Sequence, residues 1–282
     1  MEIMYPVIAA VIWSTNPAFI YKFARKASPV FFTFMRALMA VAFMWMLVVF
    51  NGGIHLNDLG FWQVLLLTLT GVIGPGIGDI AYTRAIQLLG GSLAIVLSYT
   101  YIFFAQFFSI TLFNEEATYV TIIGGVLAFM GVAIATIGNG SVGAISKKGL
   151  IYSFVAAICW GLASALIRPL RDQVDAYTTA LIRTSAVAVF SLLTSVILKE
   201  HREITKSFMV AAFFTGVLGW GIGMVLFVYS IYTIGVSATV VATALAPVLS
   251  QFVNRLIAGE KTSLKVLIGA LLVATSIALQ AI

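Results

Sequence analysis

The 282-residue chain carries very little charge. Only 9% of its residues are Asp, Glu, Lys or Arg, whereas 61% are hydrophobic. Soluble domains carry roughly 25% charged residues, so this chain cannot solvate the surface of an ordinary soluble protein. Several apolar stretches exceed the roughly 20 residues that a helix needs to cross a bilayer. The composition therefore predicts an all-α membrane protein, multi-pass, with lipid as its surroundings.

Cysteine and histidine are almost absent. The single cysteine, Cys159, excludes an internal disulfide and a cysteine-based metal cluster. His55 and His201 both fall in predicted loops, so no nucleophile, acid/base pair or metal site is gathered at one depth. We expect no enzymatic activity, no metal and no cofactor. The chain also lacks a Walker motif, which leaves ion gradients or exchange to drive any transport.

Hydropathy and helix-breaking residues predict ten spans. Their expected limits are 4–23, 29–50, 61–89, 92–113 and 118–138, followed by 149–168, 175–198, 208–233, 237–258 and 263–281. A Gly/Ser/Lys-rich stretch between 138 and 149 separates two groups of five. The first span begins at Met4 without a basic leader or a convincing cleavage site, and we expect it to be retained.

The two groups are similar in sequence, which predicts repeats over residues 1–140 and 147–282. The matching positions are Trp13 with Trp160, Arg36 with Arg183, Gly76-Ile77-Gly78 with Gly221-Ile222-Gly223, Gln106 with Gln251, and Glu115 with Glu260. Because five is an odd number, the second repeat must enter the membrane from the opposite face. Such an inverted repeat around a central cavity allows two conformations of similar energy, as alternating access requires.

Glycines interrupt the third and eighth spans at corresponding places. The third contains Gly74-Pro75-Gly76-Ile77-Gly78, and the eighth contains Gly219-Trp220-Gly221-Ile222-Gly223. Broken apolar helices at matching positions of two halves indicate the central site of a transporter. Pro75 and Pro247 each remove a backbone donor and are expected to kink their spans.

Asp79 directly follows the first glycine break and is the only acidic residue well inside a predicted span. A charge buried there costs at least about 2.5 kcal/mol, so the carboxylate must be paired, protonated or exposed to water. One hypothesis makes Asp79 a coupling carboxylate that exchanges a proton or binds a cationic group. The other makes it a fixed ion pair with Arg36, which lies at a similar predicted depth, whereas Arg84 lies around the helix.

Further substrate-binding candidates are aromatic or polar residues inside spans. Trp13 and Trp160 lie near mid-membrane and could line a cavity, or pack between helices with the indole N–H bonded to a carbonyl. Asn16 could bind substrate or satisfy backbone groups freed by Pro17. The remaining candidates, from the polar and aromatic residues of the third, fourth, eighth and ninth spans, are Tyr82, Tyr99, Tyr229 and Thr243.

Four charged residues are predicted to be structural. Arg36 and Arg183 occupy corresponding positions, which favours a scaffold role, although either could bind a substrate carboxylate. Glu115 and Glu260 lie at span ends beside helix starts, where a carboxylate is suited to capping.

The basic residues predict the orientation of the chain. Eleven Lys and Arg lie near loops one, five, seven and nine, whereas Arg168 and Arg171 lie on the opposite side. The positive-inside rule places the odd-numbered loops in the cytoplasm and both termini outside. The net charge of +6 is therefore explained by loops that meet lipid headgroups, and no nucleic-acid partner is expected.

With the repeat established, the chain resembles the drug/metabolite transporter superfamily, in its ten-span EamA-like branch. The features that carry the resemblance are a tryptophan in the first span of each half, an arginine early in the second, the glycine-rich third, and the sequences Ala246-Pro247-Val248, Gly259-Glu260-Lys261 and Ile268-Gly269. The first half departs from this pattern at Ile102 and Asn114, the counterparts of Pro247 and Gly259.

The resemblance implies ten helices around a cavity lined mainly by spans one, three, four, six, eight and nine. It also implies transport of small metabolites, often amino acid export, driven by proton coupling or exchange. We therefore expect a secondary transporter with a small-molecule substrate, as a monomer or weak homodimer. The alternative is a multidrug or organic-cation exporter that uses Asp79 as counter-charge. A scaffold or channel subunit would not need the matched glycine breaks.

Overall fold

The computed structural model describes residues 2–50, 59–113, 146–200, 204–261 and 263–279, with isolated positions at 119, 123, 126, 127, 130, 131 and 134. All regular elements within these residues are helical. The first half contains α1 (Met4–Phe23), α2 (Pro29–Phe50), α3 (Phe61–Gly71), the π-helix π1 (Val72–Gly78), α4 (Asp79–Leu89), α5 (Gly91–Ser98) and α6 (Tyr101–Phe113).

The second half contains α7 (Lys147–Ala165), a 3₁₀ turn (Arg168–Leu170), α8 (Ala176–Ile197), α9 (Lys206–Phe213), the π-helix π2 (Phe214–Ile222), α10 (Gly223–Ala242), α11 (Leu245–Val253), the π-helix π3 (Asn254–Ala258) and α12 (Leu264–Ala278). The expected fifth span, 118–138, falls largely outside the described residues. His55, His201 and Glu115 lie outside them as well.

Six helical stretches of the described chain are long and apolar enough to cross a membrane. They are Pro29–Val48, Phe61–Leu89, Gly91–Phe113, Lys147–Leu170, Ala176–Ile197 and Lys206–Ala242. Helices of this length satisfy their own backbone polar groups in lipid. The prediction of an all-helical, multi-pass membrane protein is confirmed.

Both glycine breaks form π-helices rather than unwound segments. In π1 and π2 the helix widens, since a π-helix bonds each N–H to the carbonyl five residues earlier. Pro75 has no N–H to donate, so one of the hydrogen bonds that would stabilise the tighter α-helical geometry cannot form. The polypeptide then resumes α-helical form at Asp79 and at Gly223. Each span therefore continues across the membrane with a widened turn in its middle.

The boundaries around the fourth and ninth spans differ from the sequence prediction. The loops expected before the fourth and ninth spans are each replaced by a single glycine with positive φ. These are Gly90 and Gly235, both with a φ of +86°. A turn instead divides each expected span, at Tyr99–Thr100 and at Thr243–Ala244. At both turns the threonine hydroxyl donates to the carbonyl three residues earlier, over 2.7 Å for Thr100 and 2.6 Å for Thr243. Hydroxyls that bond their own backbone compete with the helical ladder.

Each half packs its first helix into the other half. Helix α1 contacts α10, α11 and π2, whereas α7 contacts α4, α6 and π1, and α2 packs along α8. Two glycines permit the closest approach: a Cβ at Gly71 would lie 2.5 Å from the Arg183 carbonyl oxygen, and one at Gly216 would lie 2.6 Å from that of Arg36. Small residues let membrane helices approach this closely. The backbone of Arg183 is thereby packed against the end of α3, and that of Arg36 against π2.

Candidate functional site

A central cavity of about 90 Å³ lies between the two halves. Its walls come from α1, α2, π1, α4, the start of α6, α7, α8, π2 and α10. The lining residues are Trp13, Asn16, Arg36, Gly74, Pro75, Asp79, Tyr82, Tyr99, Tyr101, Trp160, Ala163, Ser164, Arg183, Trp220, Met224 and Phe227. The cavity lining is therefore rich in aromatic residues, with a few polar and ionisable groups at defined places, as small-molecule sites usually are.

Six of the candidate substrate-binding residues line this cavity, namely Trp13, Asn16, Asp79, Tyr82, Tyr99 and Trp160. Thr243 lies one layer behind it, with its hydroxyl 2.7 Å from that of the lining residue Tyr101. Tyr229 lies elsewhere: its ring packs on Tyr5 with a centroid distance of 4.9 Å, and 39% of the residue is exposed. The hydropathy of the span did not determine which of its faces turns inward.

Asp79 is paired. Its Oδ2 atom lies 3.3 Å from Nη1 of Arg36 and accepts a hydrogen bond of 3.0 Å from the indole N–H of Trp220. The Arg36 guanidinium also stacks over the Trp220 ring, 4.3 Å from its centroid. Arg84, predicted to be the poorer partner, is exposed and donates to the side chain of Gln87. The first half thus contributes a buried, compensated ion pair to the cavity wall.

Arg183 has different surroundings, although it corresponds to Arg36. It is 3% exposed, and within the described part of the chain its Nε and Nη1 atoms have no hydrogen-bond partner. The position that corresponds to Asp79 holds Met224. A scaffold role was predicted for both arginines and an ion pair for Arg36 with Asp79; the described structure shows that pair at Arg36.

The two tryptophans of the first spans touch the π-helices of the opposite half. Trp13 donates its N–H to the carbonyl of Gly219 over 2.8 Å and packs on Phe227. Trp160 packs edge-on against Tyr82, and a Cβ at Gly78 would lie 2.7 Å from its ring. Trp13 therefore satisfies both readings of its role, because it lines the cavity and also bonds a carbonyl.

Sequence reasoning missed several lining residues. Trp220 was seen only as part of the second glycine break, yet it aligns with Pro75, so the repeat itself could have identified it. Spans two and seven supply Arg36 and Arg183, which the family resemblance did not imply. Within the described residues, span nine supplies no lining residue. Also within them, no group of three or more His, Cys, Asp or Glu is placed to hold a metal ion.

A second polar cluster joins the halves away from the cavity, at the start of α5. The Glu260 carboxylate accepts hydrogen bonds from the backbone N–H of Gly91 over 2.7 Å, and from the N–H and hydroxyl of Ser92 over 2.9 and 2.7 Å. Asn254 donates to the same hydroxyl over 3.2 Å. A carboxylate at a helix N-terminus satisfies free N–H groups and complements the helix dipole. Glu260 of the second half thus caps a helix of the first.

Comparison with known proteins follows the same division into halves. The model of the EamA-like transporter family matches residues 1–137 and 147–281. An "uncharacterized transporter" of Archaeoglobus fulgidus is 25% identical over 281 residues, which cover 99% of this chain and 97% of that protein. The "uncharacterized transporter YvbV" of Bacillus subtilis is 26% identical over 168 residues, which cover 59% and 55% respectively.

A solved crystal structure supports the fold. It superposes with a TM-score of 0.75 at 18% sequence identity, and the match covers 99% of this chain and 95% of that one. The family and the transporter-named relatives point to a transporter rather than an enzyme, with a small-molecule substrate and a lipid bilayer as its partners. This chain belongs to the EamA-like transporter family, within the drug/metabolite transporter superfamily.

Proposed function

We propose that the protein is a secondary active transporter that exports small metabolites, foremost amino acids or related compounds, by alternating access. The observation that carries the proposal is the central cavity, which both halves line with ionisable and aromatic side chains. Transporters of this general design place substrate sites between two repeats, at broken helices. Here π1 and π2 both border the cavity.

Alternating access needs two related halves, and we propose ten helices in two inverted five-helix repeats, residues 1–140 and 147–282. The paired contacts of the described helices support this arrangement. Trp160 meets π1 as Trp13 meets π2, and Gly71 rests on the Arg183 backbone as Gly216 rests on that of Arg36. Packing that is repeated in this way allows the π-helices to exchange roles between two states.

The cavity favours a metabolite over a bulky drug. Its volume of about 90 Å³ is small beside the roughly 300–1,000 Å³ of pockets that hold drug-sized ligands. The organic-cation alternative relied on Asp79 as a free counter-charge, but Arg36 and Trp220 already occupy that carboxylate. A cationic solute would have to displace Arg36.

Proton coupling or exchange would drive the cycle, with Asp79 as the coupling carboxylate. Protonation of Asp79 would neutralise the partner of Arg36 and change the charge of the cavity wall. Flux into proteoliposomes is measured for a panel of amino acids, quaternary amines and sugar phosphates, with internal pH monitored. We expect amino acid flux that changes internal pH, and an Asp79→Asn variant whose residual flux no longer depends on pH. Unchanged pH dependence in Asp79→Asn would remove this carboxylate from the mechanism.

We further propose that the odd-numbered loops are cytoplasmic. Lys22, Arg25 and Lys26 of loop one line a surface cleft together with Thr205 and Ala258, next to loops seven and nine. The neighbouring positions of loop one, Thr205 and Ala258 support a shared face for loops one, seven and nine, and the positive-inside rule favours the cytoplasm for it. In a Cys159→Ser background, a cysteine at residue 26 should react with an impermeant maleimide only after cells are opened, and a cysteine at residue 171 in intact cells. The reverse pattern would invert the topology.

A further inference from the structure

We propose that Arg183 is the anion-binding residue of the central cavity, and that the transported solute presents a carboxylate to it. This inference rests on the proposed transport function, since it specifies the charge of the solute that the cavity accepts. It gives Arg183 direct contact with substrate, whereas the sequence repeat alone predicts a scaffold role.

The first argument is the burial of an uncompensated charge. Arg183 is 3% exposed, yet Nε and Nη1 have no acceptor among the described residues. Charged side chains inside a membrane normally pair with one another or with backbone carbonyls, because an isolated charge there is costly. Arg183 lines the cavity, so an anionic group placed in the cavity is an acceptor that its guanidinium can reach.

The second argument is position. Arg183 lines the cavity, and its Nη2 atom lies 3.6 Å from where a Cβ at Gly74 would stand. The backbone of Arg183 is packed against the end of α3, directly before π1, because a Cβ at Gly71 would lie 2.5 Å from the Arg183 carbonyl oxygen. The side chain is therefore anchored on a rigid contact and reaches the widened turn of π1, which a transport cycle is expected to move.

The third argument is the difference between the two corresponding arginines. Arg36 is neutralised by Asp79 and covered by Trp220, whereas Met224 stands where a second carboxylate would be. The ionisable lining therefore carries one net positive charge, from Arg183. A monoanionic group neutralises that charge, whereas a cationic solute is repelled by it.

The fourth argument concerns the kind of anion. The planar guanidinium matches the two oxygens of a carboxylate or phosphate through paired hydrogen bonds. A phosphate group near neutral pH carries nearly two negative charges, and the cavity lining offers a single uncompensated positive charge, which favours a carboxylate. The same cavity also contains Oδ1 of Asn16, a buried acceptor without a donor among the described residues. A solute with a carboxylate and an N–H donor complements both groups.

The test uses the tryptophans as reporters and needs no known substrate. Trp13, Trp160 and Trp220 line the cavity, whereas Trp45 and Trp62 are outside it, 47% and 62% exposed. In a Trp45→Phe, Trp62→Phe background of the full chain in detergent, fluorescence quenching is measured with iodide, an anion, and with neutral acrylamide. We expect Arg183→Gln to reduce iodide quenching severalfold while acrylamide quenching stays the same.

Two variants separate charge recognition from damage to the fold. Arg183→Lys retains the charge and should keep most of the iodide quenching. Arg84→Gln removes one positive charge at an exposed position outside the cavity lining, and it should quench like the parent. Equal iodide quenching in Arg183→Gln and the parent, with equal acrylamide quenching, would overturn the proposal.

The carboxylate is tested by protection against iodide. L-alanine should protect the tryptophans from iodide quenching. In Arg183→Gln its apparent affinity should be roughly tenfold or more below that in the parent, as expected for loss of a charge-assisted hydrogen bond. L-alaninamide, which lacks the carboxylate, should not protect. Protection by inorganic phosphate with none by L-alanine would keep Arg183 as an anion site and overturn the choice of carboxylate. Equal protection by L-alanine and L-alaninamide would overturn both.

The transport function can fail independently of this site. Iodide quenching that depends on Arg183, without flux of any solute in the panel, would refute the transporter and retain the anion site. Carboxylate flux that is unchanged in Arg183→Gln would refute the anion site and retain the transporter.

Discussion

Arg36 and Arg183 occupy corresponding positions in the two halves, and a single residue decides their different surroundings. Asp79 follows π1 and meets Arg36, whereas Met224 takes the corresponding place at the start of α10, and within the described residues Arg183 has no carboxylate partner. Removing one partner of a buried ion pair destabilises the folded protein much more than replacing both partners with apolar residues does. The compensated arginine is therefore suited to stability, and the uncompensated one to binding.

At this residue scale, Asp79→Asn should lower the free energy of unfolding by about 3–5 kcal/mol, because it leaves the buried charge of Arg36 without its partner. The measurement is equilibrium unfolding in mixed micelles. Arg84→Gln is the matched control, since Arg84 is exposed and bonds only a neighbouring glutamine, and it should cost less than about 0.5 kcal/mol. Equal stability of Asp79→Asn and the parent would show that the ion pair contributes nothing to the fold.

At the scale of secondary structure, the spans change direction at special backbone positions rather than at loops. Gly235 bends α10 with φ +86° and ψ 171°, and Gly90 has the same φ before α5. Only glycine adopts this combination of angles readily. Gly90 is further fixed by the Glu260 carboxylate beside it, whereas a Cβ at Gly235 would meet no atom within 4 Å. The bend at Gly235 is thus governed by backbone conformation alone.

Gly235→Asn should therefore cost about 1–3 kcal/mol in unfolding free energy, although the space for a side chain is open. The matched control is Gly259→Asn. Gly259 also has open space, but its φ of +68° and ψ of +18° lie in the left-handed helical region, which asparagine tolerates. Both variants are compared by the same unfolding assay. If they are equally stable, backbone strain does not set the bend in α10.

The elements also show where sequence reasoning is sufficient and where it is not. Glycines and Pro75 identify the interrupted third span. The depth of Asp79 in that span and of Trp13 in the first span places both near mid-membrane, so the cavity could be anticipated. Hydropathy does not specify which helix face turns inward, and Tyr229 was therefore misplaced. No proline marks the turn at Tyr99–Thr100 in the sequence. The turn depends instead on threonine hydroxyls and packing, which hydropathy does not reveal. The missing partner of Arg183 is a property of tertiary structure.

At the scale of the whole molecule, the halves interlock. Helix α7 lies among α4, α6 and π1 of the first half, and α1 lies among α10, α11 and π2 of the second. The hydrogen bonds of Glu260 add a polar tie between them. Neither half alone buries the faces that these contacts cover, so each depends on the other for its interior.

Cleavage of the chain between residues 138 and 146 should therefore leave two pieces that purify together from membranes. The expected result is co-elution of an untagged first half with a tagged second half after co-expression. Each half expressed alone should be degraded or aggregate, because its exposed interhelical surface is not made for lipid. A first half that accumulates alone as a monodisperse protein would contradict this dependence.

The uneven charge of the cavity wall has an electrical consequence. Arg36 and Asp79 compensate each other, so the empty site holds one positive charge, and the site loaded with a monoanion holds none. A charge moved through the membrane field is worth about 2.3 kcal/mol per 100 mV. Under the proposed alternating access, the transmembrane voltage acts on the return of the empty carrier. It does not act on a step loaded with a solute of net charge −1, whereas a zwitterionic amino acid leaves the positive charge of the site in place. The membrane potential of the cell, rather than the solute, would then set how fast an unloaded protein resets.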